Sequence, residues 1–360
     1  MPETSSKSHD VLRRRLGTLA LASFGVAVFW ALNMPLPFLF GPMLACLLAA
    51  LLGFRLKGMG QVAAAARTIL GVAVGASVTP ELVGQLPQMA FSVALIPIYV
   101  AVIGLIGVPF FSKICGFDPV TSYYAAMPGG LQDMVVFGQE AGADVRALSL
   151  IHATRVLIIM TLAPIILTQG FEVPLTNPIG APAAEIPLSE LLLMVAAALI
   201  GWKGGVRIGL FGASIIGPLI LTAILSLSGF IHFRPPSEAI LTAQYFIGLG
   251  IGVGYVGVTL AELRKDVLAG IVFVFILAAL AAIFTEIVVL LGLANSVEGF
   301  LAFAPGGQAE MTVLAIVAGA DLGFVIVHHL VRVTLVITGA PIVAKAMRIR
   351  QTRDQSDPPR

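Results

Sequence analysis

Long apolar runs, broken by short clusters of charge, glycine and proline, set the pattern of this sequence. Runs of membrane-helix length fall near residues 16–34, 37–54, 62–79, 89–111 and 146–168, and a second series falls near 189–203, 209–229, 240–260, 267–292 and 322–345. A helix needs about 20 apolar residues to cross the roughly 30 Å hydrocarbon layer of a bilayer, and these runs approach or reach that length. Between the two series lies "QGFEVPLTNPIGAPAAEIPL", residues 169–188, rich in proline and without Lys or Arg. The pattern predicts an all-α polytopic chain. Residues 1–15 form a cytoplasmic N-terminus, 16–168 a first membrane repeat, 169–188 a periplasmic linker, 189–346 a second membrane repeat, and 347–360 a polar, disordered cytoplasmic tail.

Composition sharpens this reading. The 360 residues are 58% hydrophobic and 11% charged, with a mean hydropathy of +1.00. A soluble domain carries about twice that share of charge, and no water-soluble core could hide so much apolar surface, so the solvent is lipid. The formal net charge of +2 says little by itself. The two cysteines, Cys46 and Cys115, sit in or beside apolar runs and suggest neither a disulfide framework nor a CxxC site. The N-terminal run lacks the shorter apolar stretch and small-residue cleavage site of a signal peptide, so it is expected to remain as the first membrane helix.

The two halves are copies. Adding 177 to each position from 127 to 166 gives a partner in 304–343 without a gap, and 16 of these 40 pairs are identical. Chance at this composition gives roughly three or four. The identities include Pro128/Pro305, Gly129/Gly306, Gly130/Gly307, Met134/Met311, the "AGAD" blocks at 141–144 and 318–321, His152/His329, Arg155/Arg332 and Pro164/Pro341. Upstream, "GP" at 41–42 matches 217–218 and "GF" at 53–54 matches 229–230, both at an offset of 176. "LGVAVG" at 70–75 matches "IGLGIG" at 247–252. The duplication spans nearly the whole chain.

Basic residues mark the cytoplasmic side. Arg13–Arg15, Arg55, Lys57 and Lys113 do so in the first half, and Lys203, Arg207, Arg264, Lys265 and the Arg-rich tail in the second. Arg234 alone disagrees. Five full spans per half satisfy this distribution if the segment around each Pro-Gly-Gly does not cross. An odd number of spans flips the second half, so the repeats are expected to be inverted; if each Pro-Gly-Gly segment crossed fully, there would be twelve spans and parallel repeats, with Lys203, Arg207, Arg264 and Lys265 outside.

"AAMPGGLQDM", ending at Met134, and "AFAPGGQAEM", ending at Met311, are the positions of chemical interest. Proline removes a backbone donor and glycine weakens a helix, so each Pro-Gly-Gly predicts a re-entrant or discontinuous helix. Broken backbone at membrane depth is tolerated only where protein or a water-filled cavity satisfies it. Two such breaks in matching halves point to a midplane binding site. The candidate substrate- or ion-binding residues are therefore Pro128, Gly129, Gly130, Gln132 and Asp133 in one copy, with Pro305, Gly306, Gly307, Gln308 and Glu310 in the other. Asp133 and Glu310 fall in the first turn after the break. They either bind a coupling cation or exchange protons, or cap their own helix starts. Arg155 and Arg332 complete the set, as ion-pair partners of these carboxylates or as holders of an anionic substrate. Asp144 and Asp321 read as helix N-caps, and the glycine runs at 70–78 and 247–257 as close helix packing.

The paired "MPGGLQDM" and "APGGQAEM", the two "AGAD" blocks and the H-x-x-R after each resemble the AbrB-type bacterial membrane protein family, over about residues 16–345. The resemblance implies an inner-membrane protein built from a duplicated domain. Members carry names such as ammonia monooxygenase and membrane regulator of gene expression. A monooxygenase needs a metal or organic cofactor. His9, His152, His232, His328 and His329 show no H-x-H or E-x-x-H spacing, so no cofactor, metal or catalytic residue is expected. The leading expectation is a secondary transporter or exporter of a small solute. The alternatives are a membrane regulator acting through a partner and, last, a monooxygenase. Nucleic acid is not an expected partner, since basic residues lie scattered at membrane edges. The oligomeric state, including a homo-oligomer, stays open.

Overall fold

The structure is a computed structural model. It describes residues 3–34, 36–210, 212–347 and 349, with the side chains of 3–9, Gln132 and Ala309 outside the description. Among the described residues there is helix and no strand. In chain order the helices are α1 (Glu3–Ala31), α2 (Pro37–Leu51), α3 (Gln61–Gly75), α4 (Pro80–Pro109), α5 (Pro119–Ala126), α6 (Leu131–Ala141) and α7 (Val145–Ile165). They continue with α8 (Leu188–Arg207), α9 (Ala213–Leu227), α10 (Ser237–Val253), α11 (Leu260–Glu262), α12 (Leu268–Leu290), α13 (Ser296–Phe303), α14 (Gln308–Ala318) and α15 (Leu322–Ala346). Single π turns extend α4 to Ile114 and α7 to Gly170, and another joins α11 to α12.

Five of these are long and apolar enough to cross a membrane: Pro80–Ile114, Val145–Gly170, Leu188–Arg207, Leu260–Leu290 and Leu322–Ala346. Helices α2, α3, α9 and α10 coincide with expected runs but are shorter than the sequence suggested, at 15, 15, 15 and 17 residues. At 1.5 Å per residue they measure about 22–26 Å, less than a full hydrocarbon thickness. For α2 and α9 the shared "GF" explains the early stop. Gly53 (φ 87°) and Gly229 (φ 74°) take the left-handed conformation, and the next N–H groups fold back onto Ala49 and Leu225 carbonyls at 3.0 and 2.9 Å. Helix α1 also differs from expectation. Arg13–Arg15 lie inside it rather than before it. Of the expected tail 347–360, only Met347 and Ile349 are among the described residues.

The chain divides into two compact units. The first comprises residues 1–87, 161–259 and 309–323. In it α2 packs on α1 and α10, α9 packs on α8 and α3, and α3 meets α10. The glycine runs make this possible. A Cβ on Gly71 would overlap the Ile215 carbonyl, and one on Gly248 would overlap the Leu39 carbonyl. Gly71 and Gly248 are 177 apart, and Leu39 and Ile215 are 176 apart, so the same close approach occurs twice.

The second unit comprises residues 88–160, 260–308 and 324–360. Its apolar interior includes Phe110, Phe111 and Phe273 in mutual ring contact and Tyr99, Phe284 and Phe303 in another cluster. Helices α5 and α13 begin alike. Asp118 accepts from the Val120 and Thr121 N–H groups at 3.0 Å, and Asn295, 177 residues on, accepts from Glu298 N–H at 2.9 Å. Asp144 is the expected cap of α7, accepting from Arg146 and Ala147 N–H at 2.9 and 3.0 Å.

Candidate functional site

Each Pro-Gly-Gly interrupts helix. Helix α5 ends at Ala126 and α6 starts at Leu131, and α13 ends at Phe303 and α14 starts at Gln308. The residues between are extended at Met127 (ψ 131°), Gly130 (ψ 148°) and Ala304 (ψ 134°). Met127, Pro128, Gly129, Ala304, Pro305 and Gly306 are buried, while Gly130, Gly307 and Gln308 are partly exposed. Each break therefore buries main-chain carbonyls that have left the helical pattern, which carries a free-energy penalty unless they are satisfied.

Two buried arginines satisfy them. Arg332, 1% exposed, donates from Nη1 to the Ala304 carbonyl and from Nη2 to the Gly306 carbonyl, both at 2.8 Å. Arg155 on α7 does the same in the other half, reaching Met127 at 3.3 Å and Gly129 at 2.5 Å. The sequence separations, 28 and 26 residues, are identical in the two halves. A guanidinium suits this task because its planar fork presents several donors at fixed angles. The histidine one turn earlier extends the pattern. Nε2 of His152 bonds the Tyr124 carbonyl at 3.1 Å, and Nε2 of His329 bonds the Leu301 carbonyl at 2.8 Å. Only in the second half is an arginine–histidine bond present among the described contacts. There Arg332 Nη2 donates to His329 Nδ1 at 2.9 Å.

The sequence offered ion pairing or anion binding for these arginines, and the structure adds main-chain carbonyls as acceptors of both. Asp133 is within electrostatic range of Arg155, and its carboxylate also accepts from the Gly130 N–H. That contact is the capping-box geometry, at a helix start whose glycine N-cap offers no side chain. Glu310 stands at the third position of α14 and feels the charge of Arg67 on α3. The Gln132 side chain lies outside the described residues.

Two residues that the sequence reading passed over belong here. Tyr99 on α4 is fully buried. Its hydroxyl donates to the Phe303 carbonyl at 2.8 Å, and it lies within electrostatic range of both Arg332 and Arg155. One phenol thus senses the arginines of both breaks. Its only signal was a lone tyrosine in the run 89–111, with Ile276 at the matching position of the second half. Arg67, inside the run 62–79, was visible in the same way, with Gln244 as its counterpart.

His328 also bonds a carbonyl, through Nδ1 to Phe324 at 2.8 Å. Among the described residues, no three His, Cys, Asp or Glu side chains cluster as a metal ion would require.

Comparison with known proteins agrees on a family. The family described as "Transition state regulatory protein AbrB" matches residues 38–348. A Bacillus subtilis (strain 168) protein named "Uncharacterized protein YhjN" is 26% identical over 291 residues, 76% of this chain and 75% of that protein. An Escherichia coli (strain K12) protein named "Putative regulator AbrB" is 23% identical over 338 residues, 91% of this chain and 95% of that protein. No solved structure matches.

Proposed function

The chain belongs to the AbrB family, and we propose that it is a secondary transporter of a small solute, an exporter or importer in the bacterial inner membrane, with its site at the paired Pro-Gly-Gly breaks. One observation carries this reading. Each apolar half contains a helix interrupted over four residues, whose buried carbonyls are held by a buried arginine at the same spacing. Packing alone would be served better by a continuous helix and an apolar residue, since a buried cation is costly to keep in a membrane protein. Interrupted helices in duplicated halves are how transporters bring polar backbone to a solute.

In this account the two halves are inverted repeats with both termini cytoplasmic. The arginines are structural, and fix the carbonyl side of each break. Asp133 stands in the first turn of α6 and Glu310 in the first turn of α14, and at each of them a coupling cation or a proton exchanges. Asp133→Asn or Glu310→Gln then abolishes transport while the chain still inserts. A regulatory role, suggested by the printed name of the Escherichia coli relative, is compatible with a transport-like core that senses a solute. No enzyme chemistry or nucleic-acid contact forms part of the reading.

Cysteine accessibility tests it without a known substrate. With Cys46 and Cys115 replaced, single cysteines at Gly130 and Gln308 are exposed to a membrane-impermeant maleimide added on one side of sealed vesicles, then on the other. Alternating access predicts modification from both sides. Protection from both sides in a folded chain would contradict a transport site at the breaks.

A further inference from the structure

A groove of about 650 Å³ runs between α1 and the end of α2 in the first unit. At one end it is lined by Arg13, Arg14 and Arg55, with Asp10 as the acidic residue of that rim. Asp10 pairs with Arg14 at 2.6 Å. Among the described residues, Arg13 and Arg55 have no carboxylate within ion-pair distance. Away from this end the lining is apolar, and Phe24, Leu48 and Phe54 are 65%, 60% and 62% exposed.

We infer that this groove binds an anionic phospholipid, with the phosphate at the arginines and an acyl chain along the apolar lining. Three points of chemistry select this occupant. First, the rim carries three guanidiniums against one carboxylate, and guanidinium is the group best matched to a phosphate. Second, from Arg14 to Phe24 the helix rises about 15 Å, half of a roughly 30 Å hydrocarbon layer, so the groove spans one leaflet from headgroup level inward. Third, the duplication shows that the fold does not demand these charges. The position matching Arg14, at an offset of 176, is Glu190. Its carboxylate accepts from the backbone N–H groups of His232 and Phe233 at 2.8 and 3.2 Å and bonds His232 Nδ1 at 3.0 Å. The second half thus fills with an internal acid–histidine contact the corner that the first half leaves open and cationic. Positive charge at a membrane edge orients a chain. A basic rim continuous with an apolar groove also recognises a lipid.

The test uses the full chain, purified in detergent and stripped of lipid. Native mass spectrometry follows retention of phosphatidylglycerol and of phosphatidylcholine with the same acyl chains. The expected result is bound phosphatidylglycerol at a tenfold lower concentration than phosphatidylcholine, with the preference lost in the R13Q/R55Q variant. Leu48→Trp, a change at an exposed position that fills the groove and leaves every arginine in place, should lower phosphatidylglycerol retention at least fivefold. Equal retention of the two lipids by the unmodified chain overturns the assignment. So does a preference that survives both variants. Displacement of phosphatidylglycerol by millimolar glycerol 3-phosphate, which lacks acyl chains, would identify a soluble-anion site and overturn the lipid assignment as well.

Discussion

Arg332 offers the sharpest test of how a broken helix survives in an apolar interior. Its Nη atoms serve three acceptors, the Ala304 and Gly306 carbonyls at 2.8 Å and His329 Nδ1 at 2.9 Å, and the residue is 1% exposed. Arg332→Met keeps much of the volume and orphans all three. An unmade buried hydrogen bond costs about 1–3 kcal/mol in a soluble protein, while bonds between membrane helices average about 0.6 kcal/mol. Three bonds then give about 2 kcal/mol at the low end, from which relief of burying a cation subtracts some part. Arg332→Lys decides the question more cleanly. It keeps the charge, but a single ammonium cannot reproduce the fork that reaches two carbonyls and a histidine together. Arg332→Lys should lose about 2 kcal/mol, a shift of roughly 30-fold in the unfolding equilibrium, and Arg332→Met somewhat less. Denaturant titration of the protein in lipid nanodiscs measures it. An Arg332→Lys variant as stable as the parent chain would show that charge alone suffices and that the carbonyl fork carries no weight.

Further predictions follow from the same geometry. Tyr99→Phe deletes the bond to the Phe303 carbonyl and should cost about 1 kcal/mol, read as a lower melting temperature. Gly248→Val would drive a side chain into the Leu39 carbonyl and should destabilise by about 1–3 kcal/mol. Gly250→Ala, two residues away with open space around it, should leave the melting temperature unchanged or slightly raised. Asp144→Ala removes the cap of α7 and should cost about 1 kcal/mol with little effect on labelling at the breaks.

The long helices were legible because burial in lipid needs unbroken apolar runs, whereas α5 and α13, which precede the breaks, lie outside the expected runs. The breaks were legible because proline and glycine act on the backbone locally. The "AGAD" blocks were legible in part. Asp144 caps as its residue type suggests, and the left-handed Gly142 and Gly319 end α6 and α14. The contacts of Arg155 and Arg332 with the breaks were not legible, since the acceptors there are main-chain carbonyls, and a carbonyl leaves no trace in residue identity. Tyr99 was missed for the same reason, bonding a carbonyl 204 residues away. The lengths of α2 and α9 were overestimated because apolar composition continues up to Gly53 and Gly229, whereas helical conformation does not.

The most direct measurement of the central claim is a thermal-stability screen of the purified full-length chain against small organic anions, amines and inorganic cations, run in parallel on Asp133→Asn and Glu310→Gln. A solute that binds the folded chain stabilises it by mass action, by about 2.7 kcal/mol at a hundredfold excess over its dissociation constant. At least one stabilising compound is expected whose effect disappears in one or both carboxylate variants while their unliganded stability holds. Stabilisation that is equal in the parent chain and in both variants would contradict it, because the solute would then bind away from the breaks.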